Sequence, residues 1–250
     1  MSTSYQNFAT VYDKFMDNIP YPEWSQYLIS LLQEYHITGG NLVELGCGTG
    51  TLCNLLSQQG YHVTGIDLSK YMISIAGKKY KNNPNLQFLR QNMCELTLDP
   101  ASYDGFYSLC DSINYLLYDD ELLTTFMGVH QYLKKDGIFV FDLKTKHYYK
   151  DVLGNQVFCD QQKDCSYIWE NAFFEEDNVN QYNLTLFIKK RYSSAYKKFE
   201  ETHHQKAYEL SKMIDLLTQA GLEYVAAYDA FSKNPPTDQS ERIYIIAAKH

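Results

Sequence analysis

The chain is expected to fold as an α/β protein, with a central sheet covered by helices on both faces, a helical segment ahead of it and a second, antiparallel sheet inserted late. Three features of the sequence lead there. Residues 42–45 form a short apolar run, broken only by Glu44, that enters three glycines at alternate positions, Gly46, Gly48 and Gly50. Up to residue 143, short apolar or β-rich runs then alternate with stretches of helical spacing, the order of a layered α/β sheet. Between residues 157 and 208 the helical periodicity gives way to long extended stretches separated by polar turns.

Composition sets limits on function. With 250 residues and 45% hydrophobic content, the chain can bury a sizeable core as one domain carrying an insertion. Residues 1–18 lack a basic segment followed by an apolar one, and no apolar run reaches membrane-spanning length, so a cytoplasmic protein without a membrane partner is expected. The six cysteines show neither a C-x-x-C pair nor metal-ligand spacing with histidine, which favours free thiols and no metal. A net charge of −8 opposes electrostatic capture of a nucleic-acid backbone.

Before the glycines, residues 5–16 carry Phe8, Val11, Tyr12 and Phe15 at helical spacing, and a second helix is expected from about residue 23 to residue 35, after Pro20 and Pro22. The glycine stretch reads as strand, tight loop and helix, with Leu52, Leu55 and Leu56 giving the helix its apolar side. Bare backbone is needed where a chain takes positive φ or lies against a ligand. The spacing does not fit a dinucleotide fingerprint, because the third glycine comes one residue early and Thr51 stands where it should be. No phosphate-binding G-x-x-x-x-G-K-[ST] run is present either.

The pattern that remains, Glu44-Leu45-Gly46-Cys47-Gly48-Thr49-Gly50, resembles motif I of the class I S-adenosylmethionine-dependent methyltransferases. Tyr12-Asp13-Lys14-Phe15-Met16, the turn from Pro20 to Trp24, and Glu201-x-His203-x-Gln205-Lys206-x-Tyr208 are similar to segments of the small bacterial YqeM-like group, with Lys206 in place of arginine. The resemblance implies a seven-stranded Rossmann-like sheet and S-adenosylmethionine as cofactor. It also implies an N-terminal cap over residues 1–38 that closes on the cofactor, so that Tyr12, Tyr21 and Trp24 contact cofactor or substrate. Residues 39–150 and 209–250 then form the core, and residues 151–208 an inserted sheet at the acceptor side.

The remaining elements follow in order. A second strand, residues 61–66, stops at Asp67, whose carboxylate is suited to the two ribose hydroxyls of an adenosine, with Leu68 and Met72 flanking the adenine. Capping of the helix that begins near Ser69 is the other use for that acid. A third strand, 86–90, is followed by Asn92 and Met93, where the family usually contacts the adenine. A fourth, 103–109, ends at Cys110, Asp111 and Tyr115, expected above the transferred methyl with Cys47 nearby. A helix over 119–133, a turn at 134–137, a fifth strand over 138–143, a helix over 211–220 and strands over 222–231 and 243–248 complete the core. Asn234-Pro235-Pro236-Thr237 reads as a hairpin loop.

The sulfonium of the implied cofactor is positive and the molecule has no phosphate, which suits a loop with no lysine and nearby acids at Glu44, Asp67 and Asp111. The expected activity is transfer of the methyl group to an N or O nucleophile of a small molecule by in-line displacement, where alignment supplies much of the rate. Candidates to take a proton are Tyr12, Asp111, His203, His204 and Tyr208. Strand alternation puts Glu201, His203 and Gln205 on one face and His204, Lys206 and Tyr208 on the other. Basic and aromatic residues at 189–192 and 196–198 keep an RNA or protein acceptor as the alternative, and a cofactor-binding protein without turnover is a third reading.

Overall fold

The computed structural model describes Ala9, residues 12–15, 19–190 and 192–250. A short helix α1 (Tyr12–Phe15) and helix α2 (Tyr21–Glu34), with proline in its first turn, precede strand β1 (Gly40–Leu45). The core continues through α3 (Thr51–Ser57), β2 (Tyr61–Asp67), α4 (Lys70–Lys79), β3 (Leu86–Arg90), β4 (Tyr103–Ser108), α5 (Asp119–Tyr132) and β5 (Leu133–Lys144). A four-stranded insertion follows, β6 (Val157–Gln161), β7 (Cys165–Phe174), β8 (Val179–Lys189) and β9 (Tyr196–Lys206). Helix α6 (Leu210–Gln219) and the strands β10 (Glu223–Asp229) and β11 (Arg242–Ala248) close the chain.

The main sheet has the order β10-β11-β5-β4-β1-β2-β3. Strands β1 to β5 pair in parallel, and β11 runs antiparallel to both its neighbours. Period-two alternation sorts the strand residues between two layers. Val43, Leu45, Phe139, Phe141, Ile243 and Ile245 pack with Leu122, Phe126 and Val129 of α5 and Met213, Leu216 and Leu217 of α6. Leu42, Tyr107, Val140, Tyr244 and Ile246 face the other way, onto Leu28, Leu31 and Leu32 of α2 and Leu52 and Leu56 of α3. This is the seven-stranded class I arrangement, and it brings the ends of β1 to β4 to one edge.

Several expectations are refined. The helix over residues 5–16 is present at Tyr12–Phe15, and apart from Ala9 the rest of it lies outside the described residues. The inserted sheet has four strands where three extended stretches stood out, because exposed β6 pairs with β7 through residues lacking clear alternation. Residues 134–137 continue strand β5. Within it the chain still turns as expected: Asp136 takes left-handed φ +63° and pairing with β4 jumps from Leu133 to Ile138, while Asp136 N–H donates to the Lys249 carbonyl (2.7 Å) and Lys249 N–H to the Gly137 carbonyl (3.0 Å). Asn234 to Thr237 lie in the loop of the β10–β11 hairpin.

Candidate cofactor and methyl-transfer site

The loop after β1 is fastened to β2 through one carbonyl. Gly46 and Cys47 N–H groups both donate to the Ile66 oxygen, at 2.8 and 2.9 Å. Gly46 has φ +74°, and a Cβ there would lie 2.4 Å from Ser112 Oγ, so the position requires glycine on two grounds. Gly48 is different. At φ +53° its missing Cβ would meet no atom within 4 Å, and it borders a cavity of about 340 Å³ at the carboxyl ends of β1 to β4. The backbone is left bare toward open space, as a close-fitting ligand requires.

Asp67 closes β2 with both carboxylate oxygens engaged, accepting from Gly48 N–H (2.9 Å) and Ser69 N–H (2.8 Å). Asp67 thus holds the glycine loop and the N-cap residue Ser69 of α4, and it lines the cavity. Burial pushes its carboxyl above the ordinary aspartate range, against the two N–H donors. Glu44 is 4% exposed and accepts from Cys53 Sγ–H (2.8 Å) and Tyr107 O–H (3.1 Å). Burial raises it to about 8, so at neutral pH it is largely a neutral carboxylic acid.

Of the residues singled out for the cofactor, Tyr12, Tyr21, Glu44, Gly46, Cys47, Gly48, Asp67, Leu68, Met72, Asn92, Met93, Cys110 and Tyr115 line this one cavity. Asn92 Oδ1 accepts from Cys94 N–H (3.1 Å), which fixes the side chain and leaves the oxygen a second lone pair. Trp24 and Asp111 lie outside the lining. Trp24 is 5% exposed, with the Arg242 guanidinium 5.0 Å from its ring centre. Asp111 turns into an ionic cluster, where Arg242 donates to it at 2.9 Å and also to Asp142, and Gln205 Nε2 donates to it at 2.6 Å.

That cluster shapes the loop after β4. Cys110 and Asp111 both take left-handed backbone, φ +61° and +55°, which is uncommon outside glycine. Their two N–H groups point at the Asp142 carboxylate, at 3.2 and 2.8 Å. Burial pushes Asp111 up, but Lys144, Arg242 and Gln205 outweigh it and hold the carboxyl below its usual range; for Asp142 burial wins and the carboxyl is raised.

The remaining candidates are spread out. Tyr208 O–H donates to the Leu116 carbonyl, and His204 is exposed beside Gln181 (3.1 Å); neither side chain lines the cavity. His203 is 1% exposed and faces Tyr115 from the inserted sheet, and Glu201 and Gln205 share its buried face as alternation indicated. Thr49, Thr51, Gln91, Cys94, Leu109, Leu116 and Glu121 also line the cavity and were not foreseen. Thr49 and Thr51 could have been read from the glycine loop itself. Arg242 carries no sequence signal, since its partners lie 131 and 100 residues away.

No Lys, Arg or His lines the cavity among the described residues, while Asp67 and Glu121 do, with Glu44 beside them largely neutral. Such a lining suits a cationic, phosphate-free nucleoside. A family described as methyltransferase domain matches residues 42–137. The YqeM protein of Bacillus subtilis (strain 168), a methyltransferase by name, is 33% identical over 98% of this chain and 97% of its own length. The chain is a class I S-adenosylmethionine-dependent methyltransferase of the YqeM-like group. A second methyltransferase, from Geobacillus sp. (strain WCH70), is 32% identical to it over 98% of this chain and 100% of that one. The crystal structure of an S-adenosylmethionine-dependent methyltransferase from Clostridium acetobutylicum ATCC 824 superposes on this methyltransferase with a TM-score of 0.85, at 28% identity, covering 98% of each chain. Among the described residues no group of acids, cysteines and histidines could hold a metal ion, and no helix is long and apolar enough to cross a membrane.

Proposed function

We propose that this methyltransferase acts on a nitrogen or oxygen nucleophile of a small molecule, in the cavity at the carboxyl ends of β1 to β4. When bound, S-adenosylmethionine supplies an electrophilic methyl group on a sulfonium. Gly46, Gly48, Asp67, Leu68, Met72, Asn92 and Met93 are the residues that would hold it, with the ribose at Asp67. The observation that carries the acceptor class is enclosure from both ends of the chain. Asp13 of α1 accepts from Thr49 Oγ1 (2.6 Å) and Lys79 Nζ (2.7 Å), and Phe15 packs on Tyr167 of the inserted sheet with ring centres 4.9 Å apart. The short N-terminal helix thus ties the glycine loop to the insertion, and the space left beside Tyr12 and Tyr115 suits a compact acceptor.

The chain's own residues align and dry the reaction. Tyr12 and Tyr21 cover the cavity from the N-terminal side, and the loop from Cys110 to Leu116 bounds it from β4. Holding two reactants in line can account for roughly 7–11 kcal/mol of the barrier in favourable cases. Similar folds at low identity include a sugar N-methyltransferase from Streptoalloteichus sp. and an amino pentose methyltransferase from Micromonospora echinaspora, with TM-scores of 0.78 and 0.75 at 16% and 13% identity. That likeness is one of fold, so the choice of acceptor rests on this chain's own side chains.

An RNA acceptor is less well supported. The basic run sits at the β8–β9 hairpin tip, and Lys189 is seven residues along the strand from Tyr182, about 23 Å at ~3.3 Å per residue. Lys198 is paired with Glu200 (2.7 Å). A cytoplasmic setting fits the six free cysteines. Labelled methyl transfer from S-adenosylmethionine to fractionated small metabolites is the test. Incorporation into a low-molecular-weight product supports the reading. Incorporation only into tRNA, with steep salt dependence, rejects it.

A further inference from the structure

We infer that Tyr115, His203 and Glu201 form a proton path leading out of the methyl-transfer cavity, in which Tyr115 accepts the proton that an N–H or O–H acceptor must shed. The inference rests on the methyl-transfer reading of the same cavity.

Tyr115 ends a short 3-10 turn (Ile113–Tyr115) after β4 and lines the cavity. Its hydroxyl lies 3.1 Å from His203 Nδ1 and 2.7 Å from the Tyr182 hydroxyl. The other imidazole nitrogen, Nε2, lies 3.5 Å from Glu201 Oε2, and the side chains of His203 and Glu201 are 0% and 2% exposed. Hydroxyl, imidazole and carboxylate therefore stand in order from cavity to interior, the sequence in which a base is oriented by a third group.

The surroundings hold this order in place. The His203 ring stacks on Tyr182 at 4.6 Å and 7°, and Trp169 of β7 covers the other side of Tyr182 at 4.6 Å. Asn114, 0% exposed, donates to the carbonyls of Lys144 and Lys206 and accepts from Lys144 N–H, which pins the turn carrying Tyr115 to both β5 and β9. Lys206 Nζ donates to the Leu117 carbonyl (3.2 Å), and Tyr208 O–H to that of Leu116, fastening the next two residues.

Among the described residues, the titratable groups facing His203 include Tyr115 from the turn, Tyr182 from β8 and Glu201 from its own strand. The Asp111–Arg242–Asp142 cluster meets the inserted sheet through Gln205, two residues further along β9.

The balance is simple. As the acceptor's lone pair forms the bond to the methyl carbon, its heteroatom is left with one proton in excess. That proton passes to the Tyr115 oxygen while the Tyr115 hydrogen passes to His203 Nδ1. Tyr115 is again neutral and His203 becomes an imidazolium beside Glu201, and the proton returns through Tyr115 to water that enters the cavity after the product leaves. The acceptor is accordingly a primary or secondary amine or a hydroxyl, since a thioether or tertiary amine has no proton to lose.

The test combines imidazole ¹⁵N spectra of the protein saturated with S-adenosylhomocysteine and rates of labelled methyl transfer to the small-molecule fraction of a bacterial extract. His203 is expected to carry its proton on Nε2, with Nδ1 accepting from Tyr115, and Tyr115→Phe should shift the Nδ1 resonance. Tyr115→Phe and His203→Gln should each lower the rate at saturating cofactor by roughly 100-fold or more. The cofactor KM and the calorimetric affinity for S-adenosylhomocysteine should stay near wild type. A proton fixed on Nδ1, or near-wild-type rates in folded Tyr115→Phe and His203→Gln, overturns the path. Wild-type protein that binds S-adenosylhomocysteine but labels no small molecule rejects the parent reading instead, and with it the path's acceptor.

Discussion

Replacing Asp67 by asparagine perturbs the cavity at the point where loop, helix and ligand meet. The carboxylate accepts from Gly48 N–H at 2.9 Å and from Ser69 N–H at 2.8 Å. Asparagine keeps one oxygen and turns an NH₂ toward the other donor, so one charge-assisted bond is exchanged for a clash of donors. A hydrogen bond to a charged group contributes about 1.5–3 kcal/mol, which corresponds to roughly 10- to 150-fold in affinity if the loss falls on the bound state. Calorimetry with S-adenosylhomocysteine should therefore show Asp67→Asn weaker by at least tenfold. Because burial raises the Asp67 carboxyl, wild-type affinity should begin to fall at a higher pH than an ordinary aspartate would dictate as the group protonates, and the variant should lack that dependence. A folded Asp67→Asn protein with affinity within twofold of wild type would refute the ribose assignment and the role given to the loop.

Three further outcomes are expected. Glu44 is raised to about 8 in the folded protein, so it holds its proton more tightly there than in the unfolded chain; its contribution is fully present below the unfolded value near ~4.3 and is lost as pH rises through 8. The melting temperature of Glu44→Gln relative to wild type should thus increase between pH 5 and 8.5, and a constant difference would contradict the assignment. Arg242→Met leaves Asp142, 0% exposed, and Asp111 facing each other, a loss of about 3–5 kcal/mol for a broken buried pair and of order 10 °C in melting temperature at this chain length; adding Asp142→Asn should recover part of it, and no recovery would argue against charge as the cause. Asp13→Ala removes the link from α1 to Thr49 and Lys79, both pair members being well exposed, and should speed S-adenosylhomocysteine release several-fold with little change in melting temperature; an unchanged release rate would show that α1 does not retain the ligand.

What could be read in advance follows the range of the interactions. The glycine loop, the acid ending β2 and the amide after β3 lie within local patterns, strand then turn then helix, and each comes to rest on the same cavity because a parallel sheet aligns strand ends. Strand alternation put Glu201, His203 and Gln205 on one face of β9, and the structure shows that face to be the buried one. Trp24 and Asp111 illustrate the limit. Both sit beside cavity residues in sequence, yet Arg242, at the start of the last strand, draws them into a separate cluster. Tyr208 and Tyr115 are the same residue type, but one hydroxyl is spent on the Leu116 carbonyl and the other faces His203. These distinctions depend on contacts across roughly 90 residues or more, which periodicity does not encode.

Co-crystallisation with S-adenosylhomocysteine is the most direct measurement. The expected density has the ribose hydroxyls on the Asp67 carboxylate, the adenine between Leu68, Met72, Asn92 and Met93, and the sulfur directed toward Cys110 and Tyr115. A nucleoside bound elsewhere, or one in this cavity whose ribose stands away from Asp67, would contradict the site described for this chain.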